Sequence, residues 1–312
     1  MVLLVATFVL FLTWSVSAAA ETFTLGYTNL GGAKVPVPLG VDEGIFARRG
    51  IEVKLASVSP GTLGVPKLVA GEIDLFLGNS EPVVRAIAVE KRNLAVITHL
   101  GSEGFILFSR PDITRIEQLK GKKIGSSLDG ASVDRNTKKA LRKVGLDPDK
   151  DTAFVYTGLQ NSADRLKLLA KGEIDATVAG SDALPELGKD MDKVHPLLDL
   201  VEIGIAVSGA DISAERDFID RKKEPLRRFI SGLEGSFRLA RSRPDLVRRT
   251  YGKHLKLSNV TLDWMVKDYM SARLPARPVP NPKVIEAYIE ELLLKKSDVP
   301  KDVNLYLDAS LF

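Results

Sequence analysis

The sequence predicts an α/β protein made of two similar lobes, and three observations support this prediction. The tetrapeptide Gly-Glu-Ile-Asp occurs twice, in GEIDLFLGNS (71–80) and GEIDATVAGS (172–181). The stretches around both copies follow the same order of strand-like and helix-like segments. The chain has 312 residues, which is enough for two lobes rather than one. Because strands alternate with helices, each lobe is expected to contain a parallel sheet.

The first series of segments begins and ends with a strand, and strands alternate with helices between them. Its first helix ends at Gly50, and glycine is typical of helix C-termini. In chain order the segments are 22–34, 35–50, 51–58, 61–71, 72–80, 81–90 and 94–100.

The second series repeats this order, and its first helix ends at Gly145. The repeated tetrapeptide lies at the same point of both series, where the second helix turns into the third strand. In chain order the segments are 121–132, 133–145, 151–158, 161–172, 173–181, 182–191 and 194–200.

Two strand-like segments, 104–110 and 202–212, belong to neither series. We interpret them as the two crossover strands between the lobes. The chain beyond them carries apolar residues at helical spacing, and these helices are expected to pack on the first lobe and make it the larger one. The predicted organisation is a signal peptide over 1–20, a first lobe over 21–106 and 207–312, and a second lobe over 107–206.

The N-terminus has the features of a secretory signal peptide. An apolar run from Val2 to Trp14 is followed by small residues with an Ala18-x-Ala20 pattern. The run is too short for a comfortable membrane span. No lysine or arginine precedes it, which departs from the usual pattern. We expect cleavage after Ala18 or Ala20.

The composition argues against several kinds of site. The chain contains no cysteine, which rules out disulfides, thiolate metal sites, cysteine nucleophiles and a lipid-attachment cysteine. An exported chain without a lipid anchor is expected to be free in the periplasm. The net charge is +4, and the basic residues lie in short scattered groups. This pattern favours solvated helix faces over a nucleic-acid surface.

The histidines give no support for catalysis. His99, His195 and His254 are far apart in sequence and lack metal-ligand spacing, and no phosphate-binding or dinucleotide motif is present. We therefore expect neither a metal nor a cofactor. His99 and His195 fall in matching terminal strands, where buried scaffold roles are expected.

The repeated tetrapeptide itself suits a structural role. Gly71 and Gly172 stand where a helix must end in a left-handed residue, which glycine adopts without a steric clash. The acidic residues that follow can accept hydrogen bonds in the tight turn. A catalytic carboxylate pair is the alternative, but nothing nearby in sequence supplies a nucleophile or a metal ligand.

Five stretches carry a resemblance to a known family. They are GVDEGIFARRGIEVKL, LVAGEIDLFLGN, LKGKKIGSSLDGAS, VGLDPDKD and LLAKGEIDATVAG. In this order they resemble bacterial ABC-transporter substrate-binding proteins for nitrate, sulfonates, taurine and thiamine-pyrimidine precursors. The resemblance runs from about residue 22 to 240. It implies a two-lobed periplasmic-binding-protein fold of type II, with each lobe a sheet flanked by helices.

Open α/β sheets bind ligands beyond the carboxyl ends of their strands, where free N–H groups suit anions or carbonyl oxygens. This rule selects four loops, two in each lobe, that combine small residues with amide or hydroxyl side chains. The predicted contacts are Asn29, Leu30, Gly31 and Gly32, then Asn79 and Ser80 after Gly78, Gly130, Ala131 and Ser132 after Asp129, and Gly180 and Ser181 after Ala179.

Each of these residues also has a structural interpretation. The polar residues Asn79, Ser80, Ser132 and Ser181 are equally suited to helix caps. Arg135 and Lys34 lie just past two of the loops and could neutralise an anionic ligand, or could be solvated first-turn charges.

Four further residues have open roles in the sequence. Glu103 could bind a cationic group. Trp264 falls off the apolar stripe of its helix, which indicates a rim residue or a permease contact. Tyr27 and Tyr156 lie in predicted strands, where core packing is the default and stacking on an aromatic ligand is the alternative.

The function that the resemblance implies is that of a monomeric carrier for an ABC importer. It would capture a small organic or inorganic anion between its lobes and deliver it to a membrane permease with its ATPase. A neutral heteroaromatic ligand such as a thiamine-pyrimidine precursor, or a ligand-sensing role, stays open. Relatives of this fold include a thiamine-pyrimidine synthase with a cysteine-rich iron site, but this chain has no cysteine and carries an export signal.

Overall fold

The computed structural model describes residues 20–28, 30–58, 63–102, 104–159, 161–205, 210–255, 259–270, 275–294 and 296–312. Residues 1–19 of the predicted signal peptide, Asn29 and Glu103 lie outside these ranges. Within the ranges, no helix is long and apolar enough to cross a membrane.

The first sheet is formed by β1 (Glu21–Tyr27), β2 (Ile51–Ser57), β3 (Leu75–Gly78), β4 (Leu94–Gly101) and β10 (Ala210–Glu215). Their order across the sheet is β2-β1-β3-β10-β4. β1, β2 and β3 are parallel, and β10 runs antiparallel to both β3 and β4. The carboxyl ends of β1 to β4 therefore meet at one edge of the sheet.

The second sheet is formed by β5 (Phe105–Ser109), β6 (Lys123–Ser126), β7 (Ala153–Tyr156), β8 (Ala176–Gly180) and β9 (His195–Asp199). Their order is β7-β6-β8-β5-β9, with β5 antiparallel to β8 and β9 and with β6, β7 and β8 parallel. The two sheets thus have the same topology, which confirms the predicted two-lobed α/β fold.

The segments expected to be crossover strands belong to different sheets. The first, 104–110, contains β5 of the second sheet, and β10, which begins within 202–212, belongs to the first sheet. Each is the antiparallel strand of its sheet. The prediction of one strand over the whole of 202–212 is wrong, because residues 201–204 form turns and β10 begins only at Ala210.

The helices of the two predicted series are α1 (Pro36–Asp42), α2 (Gly64–Val69), α3 (Glu81–Glu90), α4 (Ser132–Lys143) and α5 (Ser162–Ala170). The helix predicted over 182–191 is a 3₁₀ stretch, Ser181–Lys193, with a non-helical residue at Gly188. The helices of the C-terminal part are α6 (Arg216–Arg221), α7 (Lys223–Ser242), α8 (Pro244–Leu255), α9 (Asn259–Met270) and α10 (Pro282–Leu293).

The C-terminal helices pack mainly on the first lobe, as expected. α7 and α8 contact α1, and α10 contacts α3. α9 differs, because it contacts α8 and also the 3₁₀ stretch Ser181–Lys193 of the second lobe. The C-terminal part of the chain therefore reaches both lobes.

Apolar side chains cover both faces of each sheet. On the first sheet, one core contains Phe23 and Phe229, and the core on the other face contains Phe76 and Tyr306. The second sheet likewise packs between two apolar clusters. The sheets are therefore the rigid centres of the two lobes, and their edge loops are held in place by this packing.

The repeated tetrapeptide has the same role in both lobes. Gly71 and Gly172 have φ angles of 69° and 76°, the left-handed conformation that the sequence predicted. Asp74 Oδ2 accepts a hydrogen bond from the Thr24 N–H at 2.7 Å. Asp175 Oδ2 accepts the equivalent bond from the Lys123 N–H at 2.9 Å. Each aspartate thereby fixes the strand next to its own, which confirms the scaffold interpretation.

The repeat isoleucines require glycine in the neighbouring strand. A Cβ added to Gly26 of β1 would lie 2.6 Å from Ile73 Cδ1, and one added to Gly125 of β6 would lie 2.3 Å from Ile174 Cδ1. Both distances are shorter than a carbon–carbon contact allows. Both lobes therefore pack the isoleucine of the repeat against a glycine of the neighbouring strand at the matching position.

Gly125→Ala is expected to lower the free energy of unfolding by about 1–3 kcal/mol, because the added methyl overpacks the site. Ile174→Val removes the clashing Cδ1 and by itself is expected to cost about 0.5–1.5 kcal/mol. In the double variant the new methyl occupies the vacated space, so the loss should be smaller than the two single losses together. Chemical denaturation measures the free energy of unfolding of the three variants. A double variant whose loss equals the sum of the two single losses would contradict the contact.

Candidate functional site

The four predicted loops lie at the carboxyl edges of the two sheets. In the first lobe, the Thr28 N–H donates to Leu77 O at 3.3 Å, which joins the chain after β1 to the end of β3. In the second lobe, β6 pairs in parallel with β8, which places the loops that follow these two strands next to each other. Each lobe therefore presents its two loops side by side. Together these edges form the candidate ligand site.

Asn79 caps a helix, as its structural interpretation anticipated. Its Oδ1 accepts the Glu81 N–H at 2.8 Å, at the start of α3, and the Tyr288 hydroxyl of α10 at 3.1 Å. Among the described residues, its side-chain NH₂ has no hydrogen-bond acceptor. Ser80 occupies the N-cap position and is fully buried. The orientation of Asn79 is thus fixed, while its donor side stays available to a ligand.

The loop after β1 is held from the C-terminal helices. Leu30 is buried, and the carbonyl of Gly32, a residue with φ of 55°, accepts a hydrogen bond from the Tyr251 hydroxyl at 2.7 Å. The side chain of Lys34 is only 1% exposed. The interpretation of Lys34 as a solvated first-turn charge is therefore wrong, because the lysine lies inside the protein next to the predicted site.

The loop after β6 turns at Gly130, whose φ is 68° and whose N–H donates to Asp134 Oδ2 at 2.9 Å. Ala131 takes the N-cap position of α4, and Ser132 is the first helical residue. The interpretation of Ser132 as the N-cap residue is thus wrong by one position. Leu128 in the same loop is 49% exposed and adds apolar surface at this edge.

Arg135 links the lobes. Its Nε forms an ion pair with Glu291 Oε1 of α10, and its Nη1 donates to the Gly130 carbonyl. The Arg135 side chain is 23% exposed. The alternative of a solvated charge is therefore wrong for this residue too, because α10 of the first lobe neutralises it.

Ser181 and α9 form a second link between the lobes. The Ser181 hydroxyl donates to Asp268 Oδ2 at 2.7 Å, and the Ser181 carbonyl accepts from Trp264 Nε1 at 2.8 Å. Trp264 packs against an apolar cluster of the second lobe rather than on the apolar stripe of its own helix. The sequence located Trp264 off its stripe but could not identify the contact that it makes.

A cluster of polar side chains stands at the mouth of the second lobe. Lys138 Nζ donates to Tyr156, Asp134 and Asp129 at 3.0, 3.0 and 3.2 Å. Burial lowers the pKa of Lys138, but these three hydrogen bonds outweigh it and hold the pKa above the ordinary lysine value. Tyr156 is 44% exposed, so its expected core packing is wrong, whereas Tyr27 packs against the core of the first lobe.

The histidines have protein partners or sit in the sheets. His99 is buried, as expected, and its Nδ1 lies 2.7 Å from Asp211 Oδ1. His195 is only half-buried in β9, and His254 Nε2 lies 3.0 Å from Asp42 Oδ2. In the part of the chain that the structure describes, no group of histidine, aspartate and glutamate side chains could hold a metal ion.

Two cavities separate α4 from α10. One of about 400 Å³ lies beside the Arg135–Glu291 pair, and one of about 480 Å³ lies nearer to Ser102. The charged residues that line them are mainly basic on α4, apart from Asp134, and mainly acidic on α10, apart from Lys283: Lys138, Lys139, Arg142, Lys143, Glu286, Glu290 and Glu291. Opposite charges therefore face each other across the gap between the lobes.

The chain belongs to the NMT1/THI5-like family, whose model matches residues 35–246. This match confirms the resemblance found in the sequence. A search of curated proteins gave no match.

Solved structures with the same architecture cover nearly the whole chain. The periplasmic aliphatic sulphonate-binding protein SsuA from Escherichia coli has a TM-score of 0.72 at 18% identity and covers 92% of both chains. The periplasmic nitrate-binding protein NrtA from Synechocystis PCC 6803 has a TM-score of 0.68 at 11% identity, over 94% of this chain and 87% of that chain. The alkanesulfonate-binding protein SsuA from Xanthomonas axonopodis pv. citri, bound to MOPS, has a TM-score of 0.64 at 17% identity, over 91% and 96%. The fold is thus that of periplasmic binding proteins.

The Arg135–Glu291 pair generates a prediction about the distance between the lobes. Glu291→Arg replaces an attraction of about 0.5–1 kcal/mol by repulsion, so the balance should move toward open lobes by at least about two- to fivefold. Small-angle X-ray scattering of the ligand-free protein should show a larger radius of gyration. The exchange variant Arg135→Glu/Glu291→Arg should restore the smaller value.

Glu224→Arg is the matched control, because Glu224 lies on α7 and is 76% exposed. It makes the same change of charge away from the gap and should leave the radius unchanged. If Glu291→Arg left the radius unchanged as well, the pair would have no part in holding the lobes together.

Proposed function

We propose that this protein is the periplasmic solute-binding component of an ABC importer and that it captures a small organic or inorganic anion between its lobes. The observation that carries the proposal is the arrangement of the loops. Two sheets of one topology present small-residue loops at their carboxyl edges, and α9 and α10 connect these edges. Such an arrangement suits a hinge that closes around a ligand.

Positive charge near the loops favours an anion of the sulfonate, nitrate or carboxylate type. Lys34 is buried beside the first loop, whereas the charge of Lys138, at the mouth of the second lobe, is compensated by Asp134 and Asp129. The structural neighbours are described as sulphonate-binding and nitrate-binding proteins, which supports the same class of ligand. The predicted contacts from Asn29 to Ser181 form the proposed site, with Asn79 as its best-defined donor.

A neutral heteroaromatic ligand is the second candidate. The chain belongs to the NMT1/THI5-like family, and its sequence resembles binders of thiamine-pyrimidine precursors. The side-chain NH₂ of Asn79 would serve a ring nitrogen or a carbonyl as well as it serves an anion. The charge of the ligand therefore distinguishes the two candidates.

The proposal includes the route of the ligand. The carrier acts in the periplasm without a lipid anchor, as a monomer, and hands its ligand to a membrane permease driven by an ATPase. It forms no covalent bond and uses no cofactor. The neighbours described as periplasmic binding proteins support this role over that of an enzyme.

The chain from residue 21 to 312 is expected to be stabilised by anions. A thermal-shift panel contains ethanesulfonate, taurine, nitrate and benzoate, with 4-amino-2-methylpyrimidine and an alkylamine for the other ligand classes. A ligand at 100 times its Kd stabilises by about 2.7 kcal/mol, which moves the Tm by a few degrees. Stabilisation by the pyrimidine alone would replace the anion with the heteroaromatic candidate, and stabilisation by none would contradict the carrier proposal for these classes.

Asn79→Ala is expected to weaken binding of the stabilising ligand by about 1–3 kcal/mol, since a buried hydrogen bond is lost. Ser132→Ala is expected to act in the same direction. Isothermal titration calorimetry measures both against Asn304→Ala, a control in the 3₁₀ helix Val303–Leu305 far along the chain. Unchanged affinity in both site variants would remove these loops from the site and leave the fold untouched.

A further inference from the structure

The internal repeat allows the two lobes to be compared position by position. Seven residues before the repeat glycine, the first lobe has Gly64 and the second has Arg165. Five residues after the same glycine, the first lobe has Phe76 and the second has Thr177. Both positions lie where a helix packs on the third parallel strand of its sheet. The two lobes thus have the same backbone arrangement at this point but different side chains. The first lobe has the small residue on the helix and the large one on the strand, and the second lobe has the reverse.

In the first lobe an aromatic ring fills the space. A Cβ added to Gly64 would lie 2.2 Å from the ring of Phe76, and one added to Gly78 would lie 2.6 Å from it. Phe76 is only 2% exposed. The end of β3 is therefore backed by an apolar ring that leaves no room for a side chain from α2.

In the second lobe the space holds a guanidinium group. Thr177 is small and donates its hydroxyl to Gly125 O at 2.8 Å, and Arg165 extends from α5 with 1% exposure. Arg165 Nη1 donates to Leu159 O at 2.9 Å, and its Nη2 donates to Val178 O at 3.1 Å. The charge is therefore inserted between the chain that follows β7 and the last residues of β8.

The guanidinium is also connected to the predicted ligand loop. Arg165 Nη2 lies 3.2 Å from Ser162 Oγ, and the same oxygen accepts the Gly180 N–H at 3.4 Å. Gly180 is one of the predicted ligand contacts. A single hydroxyl thus separates the buried charge from the loop that carries the site.

We propose that Arg165 makes the second lobe the anion-recognising half of the cleft. It acts as a positioning residue for the loops after β7 and β8, and it places a positive charge behind Gly180. This inference rests on the proposed function and specifies its ligand: an anion whose charged end faces the second lobe and whose organic part faces the first lobe, where the Phe76 ring backs the end of β3.

The physical basis is the low screening of a buried charge. Water shields surface lysines and arginines, whereas a charge held by carbonyls inside the protein acts on its surroundings through a lower effective dielectric constant. Burial lowers the pKa of Arg165, yet an arginine in a protein stays protonated. The charge at this point is therefore permanent and does not depend on pH.

The test compares charged and neutral probes of the same shape on residues 21–312. Ethanesulfonate, benzoate and nitrate are the anions, and ethyl methyl sulfone is the neutral match for ethanesulfonate. Arg165→Met removes the charge and is expected to weaken anion binding about tenfold, the effect of one unit charge within about 10 Å at an effective dielectric constant of about 20. Arg165→Lys keeps the charge and should retain part of this affinity, and sulfone binding should not fall in either variant.

Lys171→Met is the matched control, because Lys171 is an exposed residue at the other end of the same helix. It removes one positive charge and should leave anion binding unchanged. In the variant Arg165→Gly/Thr177→Phe a phenylalanine ring fills the space of the guanidinium, as Phe76 does in the first lobe. This double variant is measured instead of Arg165→Met if that protein does not fold. Circular dichroism confirms folding in each case.

The outcomes separate the two proposals. If the parent chain binds an anion, and folded Arg165→Met or Arg165→Gly/Thr177→Phe binds it equally strongly, the role of Arg165 is overturned and the carrier function stands. A parent chain that binds none of the three anions would overturn the anion proposal itself and, with it, this inference. An equal loss for sulfone and sulfonate would show a purely structural arginine and would also overturn the inference.

Discussion

The hydrogen bonds between the repeat aspartates and their neighbouring strands are the interactions on which the rest of the structure depends. Asp74 binds the backbone of β1 and Asp175 binds the backbone of β6. Bonds to a charged acceptor contribute about 1.5–3 kcal/mol each. Because they lock adjacent parallel strands in register, the strands end together and their loops lie side by side. The isoleucine–glycine contact beside each aspartate fixes the same arrangement through packing.

The C-terminal helices then turn two separate lobes into one binding unit. α9 reaches the second lobe through Trp264 and Asp268, and α10 reaches it through Glu291. The same helices hold the first lobe's loops, since Tyr288 binds Asn79 and Tyr251 of α8 binds Gly32. Residues that come late in the chain thus control loops that come early. Opening the lobes requires the contacts of α9 and α10 with the second lobe to break, and these contacts combine hydrogen bonds and an ion pair with the apolar packing of Trp264.

The sequence predicted the parts of the molecule that depend on local pattern and on the repeat. The alternation of strands and helices, the left-handed Gly71 and Gly172, and the matching of the two lobes all follow from residues close together in the chain. It missed the partners of Arg135 and Ser181, because Glu291 and Asp268 are far away in sequence and carry no motif. It also missed the burial of Lys34. The role of Arg165 was hidden in the repeat, since only an alignment of the lobes shows that an arginine stands opposite a glycine.

The capture of ligand between the lobes is tested most directly by the emission of Trp264. The sequence has two tryptophans, Trp14 and Trp264, so a chain that begins at residue 21 retains only the one that binds Ser181 across the lobes. An anion is expected to change this emission saturably, with the same Kd that calorimetry gives. An unchanged emission at concentrations that saturate the calorimetric signal would contradict capture between the lobes, because the ligand would then bind without affecting the contact between the lobes.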